Sequence, residues 1–417
     1  MTYTTKEVLQ FVQENDVKFV KLAFCDIWGV QKNISIVSRH LEAAFEEGVA
    51  FDASSIAGFL SVEKSDLCLF PDPATLHVLP WRPQQGRVVR FFCDIRYPDG
   101  AAFEGDTRRL LAEASDSAEE MGLFCRVGSE CDFYLFHIGE DGTPTDTPFD
   151  NAGYLDVAPL DRGENVRRDI CLYLDQMGVT AENSHHERGP GQYGVDIHYC
   201  DIRKAADDLV ILKSAVDSIA AANGLWASFM PKPIEEQNGN GLHLNFSLAQ
   251  NGRNIFRTDG TEHSPTAESF IAGILAHIAE ITAVANPLLS SYIRFAQNEA
   301  PPYISWAHQN RSQLIRIPAA SGDHSRMELR SPDPAANPHL LLTLLLHAGL
   351  DGVRQSLPLP PPIDVNMYEQ GDDTEAQRLP QSLGDALDCM ADSDFVRSIL
   401  GDVYTEKYVR FKREETR

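Results

Sequence analysis

In the stretch Arg326-Met327-Glu328-Leu329-Arg330 two arginines flank a glutamate at alternating positions. Residues two apart share a face of an extended strand, so this spacing predicts both guanidinium groups and the carboxylate in one space. Met327 and Leu329 then face the other way, as on a strand with core behind it and a site in front. Buried charge is costly unless compensated, so three charges together call for a metal, an anion or one another. A cation fork beside an acceptor-only carboxylate suits a magnesium-bound polyphosphate or a substrate carboxylate. For this segment alone a structural ion-pair ladder is an equal competitor.

Other segments tip that balance. Gly128-Ser129-Glu130-Cys131-Asp132-Phe133 repeats the two-residue spacing with two carboxylates. With Glu187, Glu328 and His243 they make four carboxylates and one imidazole, a set that suits Mg2+ or Mn2+ better than zinc, because oxygen dominates and thiols are absent. Singly, each residue reads as an ion-pair partner or a satisfied core histidine. The run Asn238-Gly239-Asn240-Gly241 before His243 adds two glycines through which backbone amides can approach a ligand, although alone it reads as a tight turn.

Elements must carry these residues. Thr4 and Glu7 form a capping-box pattern ahead of Val8, Leu9, Phe11 and Val12, so a helix opens the chain. Runs 18–26 and 87–97 are rich in Val, Phe and Ile and read as strands. An amphipathic helix over 38–48 and a Ser/Asp-rich loop over 52–58 lie between them, and a Pro-Asp-Gly turn at 98–100 closes the unit. Beyond it, helical patterns span 106–121, 206–222, 266–285 and 338–355, the last opened by Asn337 as N-cap and Pro338 at N1. The polar motifs fall on strand-like runs at 126–136, 185–199, 243–247 and 313–317. The expected class is α+β: an antiparallel sheet with a site on its inner face and helices outside.

Bulk properties narrow the partners. The formal charge of −25 speaks against nucleic acid and against an anionic membrane surface. An acidic chain that binds an anionic nucleotide has to concentrate arginine locally, as 311–330 does. No uninterrupted apolar run reaches the ~20 residues of a membrane span. The N-terminus lacks the charged and apolar regions of a signal peptide, and the cysteines show no CxxC pair, so the expected compartment is the cytosol.

The motifs FDASSIAGF (51–59), SDLCLFPDP (65–73), GSECDF (128–133), HHERGPGQYGVDI (185–197), FMPKPIEEQNGNGLH (229–243), APPYISWAHQNRSQLIRIP (300–318) and RMELRSPDPAANP (326–338) stand in order. Together they resemble the glutamine synthetase family, specifically its bacterial type I branch, from about residue 15 to residue 412. The resemblance implies an N-terminal β-grasp domain over 1–102 and a catalytic ATP- and glutamate-binding domain over 103–417. It implies an ATP-dependent glutamate–ammonia ligase working through a γ-glutamyl phosphate, with Mg2+ or Mn2+ as cofactor and an active site shared between subunits of a homohexameric ring. Matched positions then take roles. Glu130, His243 and Glu328 would hold the ion that bridges the nucleotide phosphates, and Asp132 and Glu187 the ion nearest the amino acid. Asn238 and Gly239 would hold the glutamate backbone, and Arg294 and Arg330 its carboxylates. Arg311 and Arg316 would brace the transferred phosphoryl group, with Glu182, Ser247 and Arg326 on the nucleotide side. Asp52 and Ser55 from an adjacent subunit, with Tyr154, Glu187 and Glu299, would bind ammonium and deprotonate it.

Four departures from the family pattern gather on the amino-acid side. Gly194 stands where the family has a third carboxylate ligand, so water is expected to fill the vacancy and metal affinity to fall. Asp132 replaces a usual glutamate, shortening reach by about 1.3 Å. The lid segment RFAQNE (294–299) is shorter than usual, and Asn245 replaces a second histidine while Glu235 and Glu236 add acid. Three readings follow: a glutamate–ammonia ligase, a γ-glutamyl ligase for an organic amine, and a catalytically silent regulatory or scaffolding relative. Retention of Asp52, Ser55, Tyr154 and Glu187 favours ammonium. Tyr368 matches a tyrosine that some relatives adenylylate, but modification is not expected here. The chain ends at Arg417, short of the stretch that locks two rings in type I relatives, so pairing into a dodecamer is left open.

Overall fold

The computed structural model describes residues 3–82, 85–256, 263–297, 299–320 and 322–415; Arg417 lies outside them. The opening helix, Thr5–Glu14, carries the capping box: the Thr4 hydroxyl accepts from the Glu7 amide, and the Glu7 carboxylate accepts from the Thr4 amide. A first sheet follows, built from β1 (Val17–Cys25), β2 (Gln31–Val37), β3 (Val49–Asp52), β4 (Asp66–Pro71), β5 (His77–Val78) and β6 (Arg87–Arg96). Its order is β2-β1-β6-β4-β3 with β5 on β6, and β1 pairs β6 in parallel. The predicted 38–48 helix starts as a 3-10 turn and becomes α-helical only over Leu41–Glu47.

The second sheet has ten strands among the described residues: β7 (Phe124–Ile138), β8 (Pro144–Pro148), β9 (Ala181–His186), β10 (Gln192–Asp201), β11 (Leu225–Ser228), β12 (Leu242–Gln250), β13 (Arg253–Asn254), β14 (Trp306–His308), β15 (Ile315–Ile317) and β16 (Met327–Leu329). They run in the order β14-β15-β16-β12-β7-β10-β9, with β8 and β11 on β7 and β13 on β12. Two expectations are corrected here. The sheet is not wholly antiparallel, since β14 and β15 pair in parallel. The single run expected over 185–199 is the end of β9, a turn, and β10, because Gly189 and Gly191 fold the chain back so that β9 and β10 pair antiparallel.

Helices cover one face of this sheet. The helices Pro265–Ala285 and Pro338–Gln355 pack so closely that a Cβ at Gly273 would lie 2.2 Å from the Ala348 carbonyl oxygen. Pro265–Ala285 is long and apolar enough to cross a membrane by length and composition, with mean hydropathy 1.4, but 67% of that window is buried and it serves as a core helix. Asn337 caps Pro338–Gln355 as expected, its Oδ1 accepting from the His339 and Leu340 amides at 3.1 and 3.3 Å. Its Nδ2 donates to the carbonyls of Asp26 and Ile27, just past β1, tying the two sheets' surroundings together.

Candidate active site

Strand register gathers the charged side chains. His243 on β12 pairs with Glu130 on β7, and Glu328 on β16 pairs with both Asn245 on β12 and Arg316 on β15. The ligand-type atoms of Glu130, His243 and Glu328 all lie within 4.8 Å of one another. His243 Nδ1 is 3.2 Å from Glu130 Oε2 and 3.6 Å from Glu328 Oε1. Glu328 is 1% exposed and sits between Arg316, at 2.5 Å, and Arg330. Burial alone would raise both acids. For Glu130 the hydrogen bonds from His243 and Asn245 and the charge of Arg330 outweigh it, holding the group at about 2. Glu328 is likewise lowered, through His243, Arg330 and Arg316. Two ionised carboxylates and a convergent imidazole nitrogen fit a divalent ion.

Next to this cluster lies a cavity of about 640 Å³. Glu130, Asp132, Glu187, Asp196 and His243 line its sheet side. Asn238, Gly239, Arg294, Glu299, Arg311, Arg330 and Tyr154 line the rest. Its other acids are shifted in the opposite direction to Glu130. Burial first, then the charges of Asp132 and Asp196, pushes Glu187 up to about 9. Burial and Glu130 bring Asp196 to about 7, and burial raises Asp132. Carboxylates crowded to this degree attract a cation.

The Asn238-Gly241 run does more than turn. Gly241 donates its amide to Asp132 Oδ2 at 3.0 Å, and Gly239 donates to Glu299 Oε2 at 2.8 Å. A Cβ on Gly239 would meet the Pro231 carbonyl oxygen at 2.5 Å and Glu299 Oε2 at 2.9 Å, so only glycine fits. Arg294 is 1% exposed; Nη1 donates to the Ser331 and Pro332 carbonyls, and Asp333 lies at 3.8 Å. Glu299 reaches the cavity despite the shortened segment, with Oε1 2.6 Å from Lys232 Nζ.

The turn that carries Glu187 is pinned from behind. Asp150 accepts from His186 Nε2 at 2.9 Å, from the Tyr193 hydroxyl at 2.6 Å and from the Gly191 amide at 2.9 Å. His186 Nδ1 faces the Glu187 carbonyl at 2.6 Å. Burial opposes charge on this ring, but Asp150 and that carbonyl raise it above the ordinary histidine range.

A smaller cavity adjoins the first and shares Glu130 and Asp196 with it. Glu182, Ser247 and Arg326 line this second space, and Arg326 Nε donates to Asn245 Oδ1 at 3.0 Å. Glu182 pairs with His198. Arg316 borders neither cavity and is engaged by Glu328. Asp52 and Ser55 border neither cavity of their own chain; they lie at the end of β3, where Ser54 and Ser55 donate to the exposed Asp52 carboxylate and lower it.

Sequence reasoning missed Asp196, His185, Gln192 and Lys232. Asp196 had a signal, since it follows Gly194 by two residues on β10 and therefore shares its face. Gln192, which donates to the Gly239 carbonyl at 3.0 Å, and Lys232 act through loop contacts that carry no spacing signature.

Comparison with known proteins accords with this geometry. Residues 16–98 match the glutamine synthetase β-grasp domain and residues 104–417 the glutamine synthetase catalytic domain. The chain is 44% identical to a glutamine synthetase of Clostridium saccharobutylicum, covering 99% of this chain and 95% of the relative. It is 46% identical to one from Methanosarcina mazei, covering 99% and 94%. Among solved structures, GmaS in complex with ADP superposes with a TM-score of 0.90 at 31% identity, covering 100% of this chain and 96% of that one. A Plasmodium falciparum glutamine synthetase shares the fold at a TM-score of 0.88 and 23% identity, covering 100% and 96%. With both domain models matched and relatives at this identity across nearly the whole length, the chain belongs to the glutamine synthetase family, whose members are ATP-dependent ligases.

Proposed function

We propose that this protein joins ammonia to the γ-carboxylate of glutamate at the expense of ATP, with residues 1–102 as its β-grasp domain and 103–417 as its catalytic domain. The carrying observation is that two cavities meet at Glu130, beside a cluster of two carboxylates and an imidazole built for a divalent ion. A γ-carboxylate is a poor electrophile, so it must first take the terminal phosphoryl group of ATP, releasing ADP. A neutral amine then attacks the acyl carbon and phosphate departs. A Mg2+ or Mn2+ ion held by Glu130, His243 and Glu328 would offset charge on the phosphates, and a second ion near Asp132 and Glu187 would do so at the amino acid.

In this reading ATP enters the cavity bounded by Glu182, Ser247 and Arg326. Glutamate lies against Asn238, Gly239, Arg294 and Arg330, with Arg311 and Arg316 bracing the transferred group. Asp52 and Ser55 of a neighbouring subunit complete the ammonium pocket with Tyr154, Glu187 and Glu299, which is why a hexameric ring is the expected assembly. Glu187 borders that pocket, and its carboxylate, ionised beside a bound cation, would take the proton that ammonium must shed. Glu299, docked on Lys232 and Gly239, shields the acyl phosphate from water. The eight free thiols suit a reducing cytosol.

Gly194, which leaves room, and the acidic pair Glu235 and Glu236, which offer charge, favour an organic amine as the second reading. Phosphate release from ATP and glutamate, compared across ammonium, methylamine, ethanolamine and a diamine, decides between them. Turnover with ammonium supports the first reading, preference for one amine the second, and nucleotide binding without phosphate release overturns both.

A further inference from the structure

Gly194 on β10 pairs directly with Asp132 on β7 on one side and with His185 on β9 on the other. Residues paired across strands project to the same face, so a side chain at 194 would stand between that carboxylate and that imidazole. A Cβ built on Gly194 would lie 3.3 Å from Asp132 Oδ1, 3.3 Å from Glu187 Oε1 and 3.2 Å from His185 Cε1. The imidazole borders the space that a longer residue would fill. His185 Nδ1 is 3.2 Å from Glu187 Oε1, yet it is buried and makes no hydrogen bond. The two atoms are misaligned for a shared proton, but their separation is that of neighbouring ligands on an octahedral ion with bonds of about 2.1 Å. The Tyr154 ring, 5.8 Å away and edge-on, supports the imidazole from its other side.

We propose that His185 is a metal ligand that takes the coordination position left by the missing carboxylate at 194. The substrate-side ion is then held by Asp132, Glu187 and His185 rather than by oxygen donors alone. The inference rests on the two-ion reading given above. Nitrogen in the shell shifts preference away from Mg2+, which keeps to oxygen and sheds water reluctantly, towards Mn2+. Among the described residues only Glu130, His243 and Glu328 gather ligand atoms within 4.8 Å, so the His185 shell is looser and its ion the weaker of the two. A glutamate at 194 would press its Cβ on the His185 ring at 3.2 Å, so the ring must give way, and its carboxylate would compete with the imidazole for the same position on the ion.

The test is Mn2+ alone, titrated into the metal-stripped full-length enzyme. Free Mn2+ is counted by electron paramagnetic resonance, and directly bonded imidazole nitrogen is read from spin-echo modulation. Wild type should bind two ions per chain, both with nitrogen modulation. His185→Ala should weaken one ion by about tenfold or more and remove its nitrogen, leaving the His243-bound ion unchanged. Gly194→Glu should keep the second ion but strip it of nitrogen, and this variant carries the test should His185→Ala fold poorly. Two-ion binding with His185→Ala identical to wild type, or nitrogen retained on both ions in Gly194→Glu, overturns the inference alone. A wild type that binds no divalent ion overturns the proposed function along with it.

Discussion

Lys232 Nζ lies 2.6 Å from Glu299 Oε1, and the lysine side chain is only 1% exposed while the glutamate side chain is 15% exposed. The pair anchors the segment after Arg294 to the glycine-rich turn, because the other Glu299 oxygen accepts from the Gly239 amide. A buried pair loses most when one partner is removed, at a cost of about 3–5 kcal/mol.

Lys232→Met should therefore release Glu299 and open the cavity. Water would then reach the acyl phosphate, so phosphate should form in excess of glutamine. The ratio of the two products, measured in one reaction, checks this: wild type should give one to one, and the variant clearly more phosphate.

Gly239→Ala presses a methyl group between the Pro231 carbonyl and Glu299. Overpacking of this kind costs about 1–3 kcal/mol. KM for glutamate should rise more than KM for ATP, since the displaced groups border the larger cavity. Steady-state kinetics with each substrate varied in turn would show it.

Glu328→Ala leaves Arg316 and Arg330 without their shared carboxylate and removes one oxygen from the divalent cluster. Nucleotide affinity in the presence of Mg2+ should fall by tenfold or more, with a smaller change when Mg2+ is omitted. A variant that lost only thermal stability would mark Glu328 as a member of an ion-pair ladder.

Glu187 is raised from 4.5 to about 9 in the fold, so between those values the folded chain holds a proton that the unfolded chain has released. Stability of the metal-free protein should accordingly decline as pH rises through that window. Divalent ions should reverse the trend and expel protons on binding. Melting temperature against pH, with and without chelator, together with proton release in weak buffer, tests both halves.

Asn337→Ala provides a contrast. It removes a helix cap and the donors to the Asp26 and Ile27 carbonyls, costing about 1–2 kcal/mol. KM values should stay put while the thermal midpoint drops.

Much of this architecture was legible because its signals are local. The capping box at Thr4 and the N-cap at Asn337 each fix geometry within a few residues, and each occurs as read. The alternation around Glu328 holds in part: Arg330 meets Glu328, whereas Arg326 turns to Asn245 and the smaller cavity. The helix Glu164–Gln176 escaped notice for the converse reason: it begins at Gly163 with no side-chain cap. Register between distant strands was equally hidden. That Gly194 falls opposite both Asp132 and His185 depends on the β9–β10 hairpin, which a single run over 185–199 obscured. Long-range contacts such as Lys232 with Glu299 arise from loops meeting in space, and no spacing announces them.

Asp52 and Ser55 stand at the end of β3, bordering neither of the two cavities described for the chain that carries them. If each site borrows them from next door, damage to Asp52 and damage to Glu328 strike different halves of the catalytic apparatus. Two inert variants, one altered at each position, should regain partial activity when their subunits are dissociated and reassembled together, at those boundaries where an intact half meets an intact half.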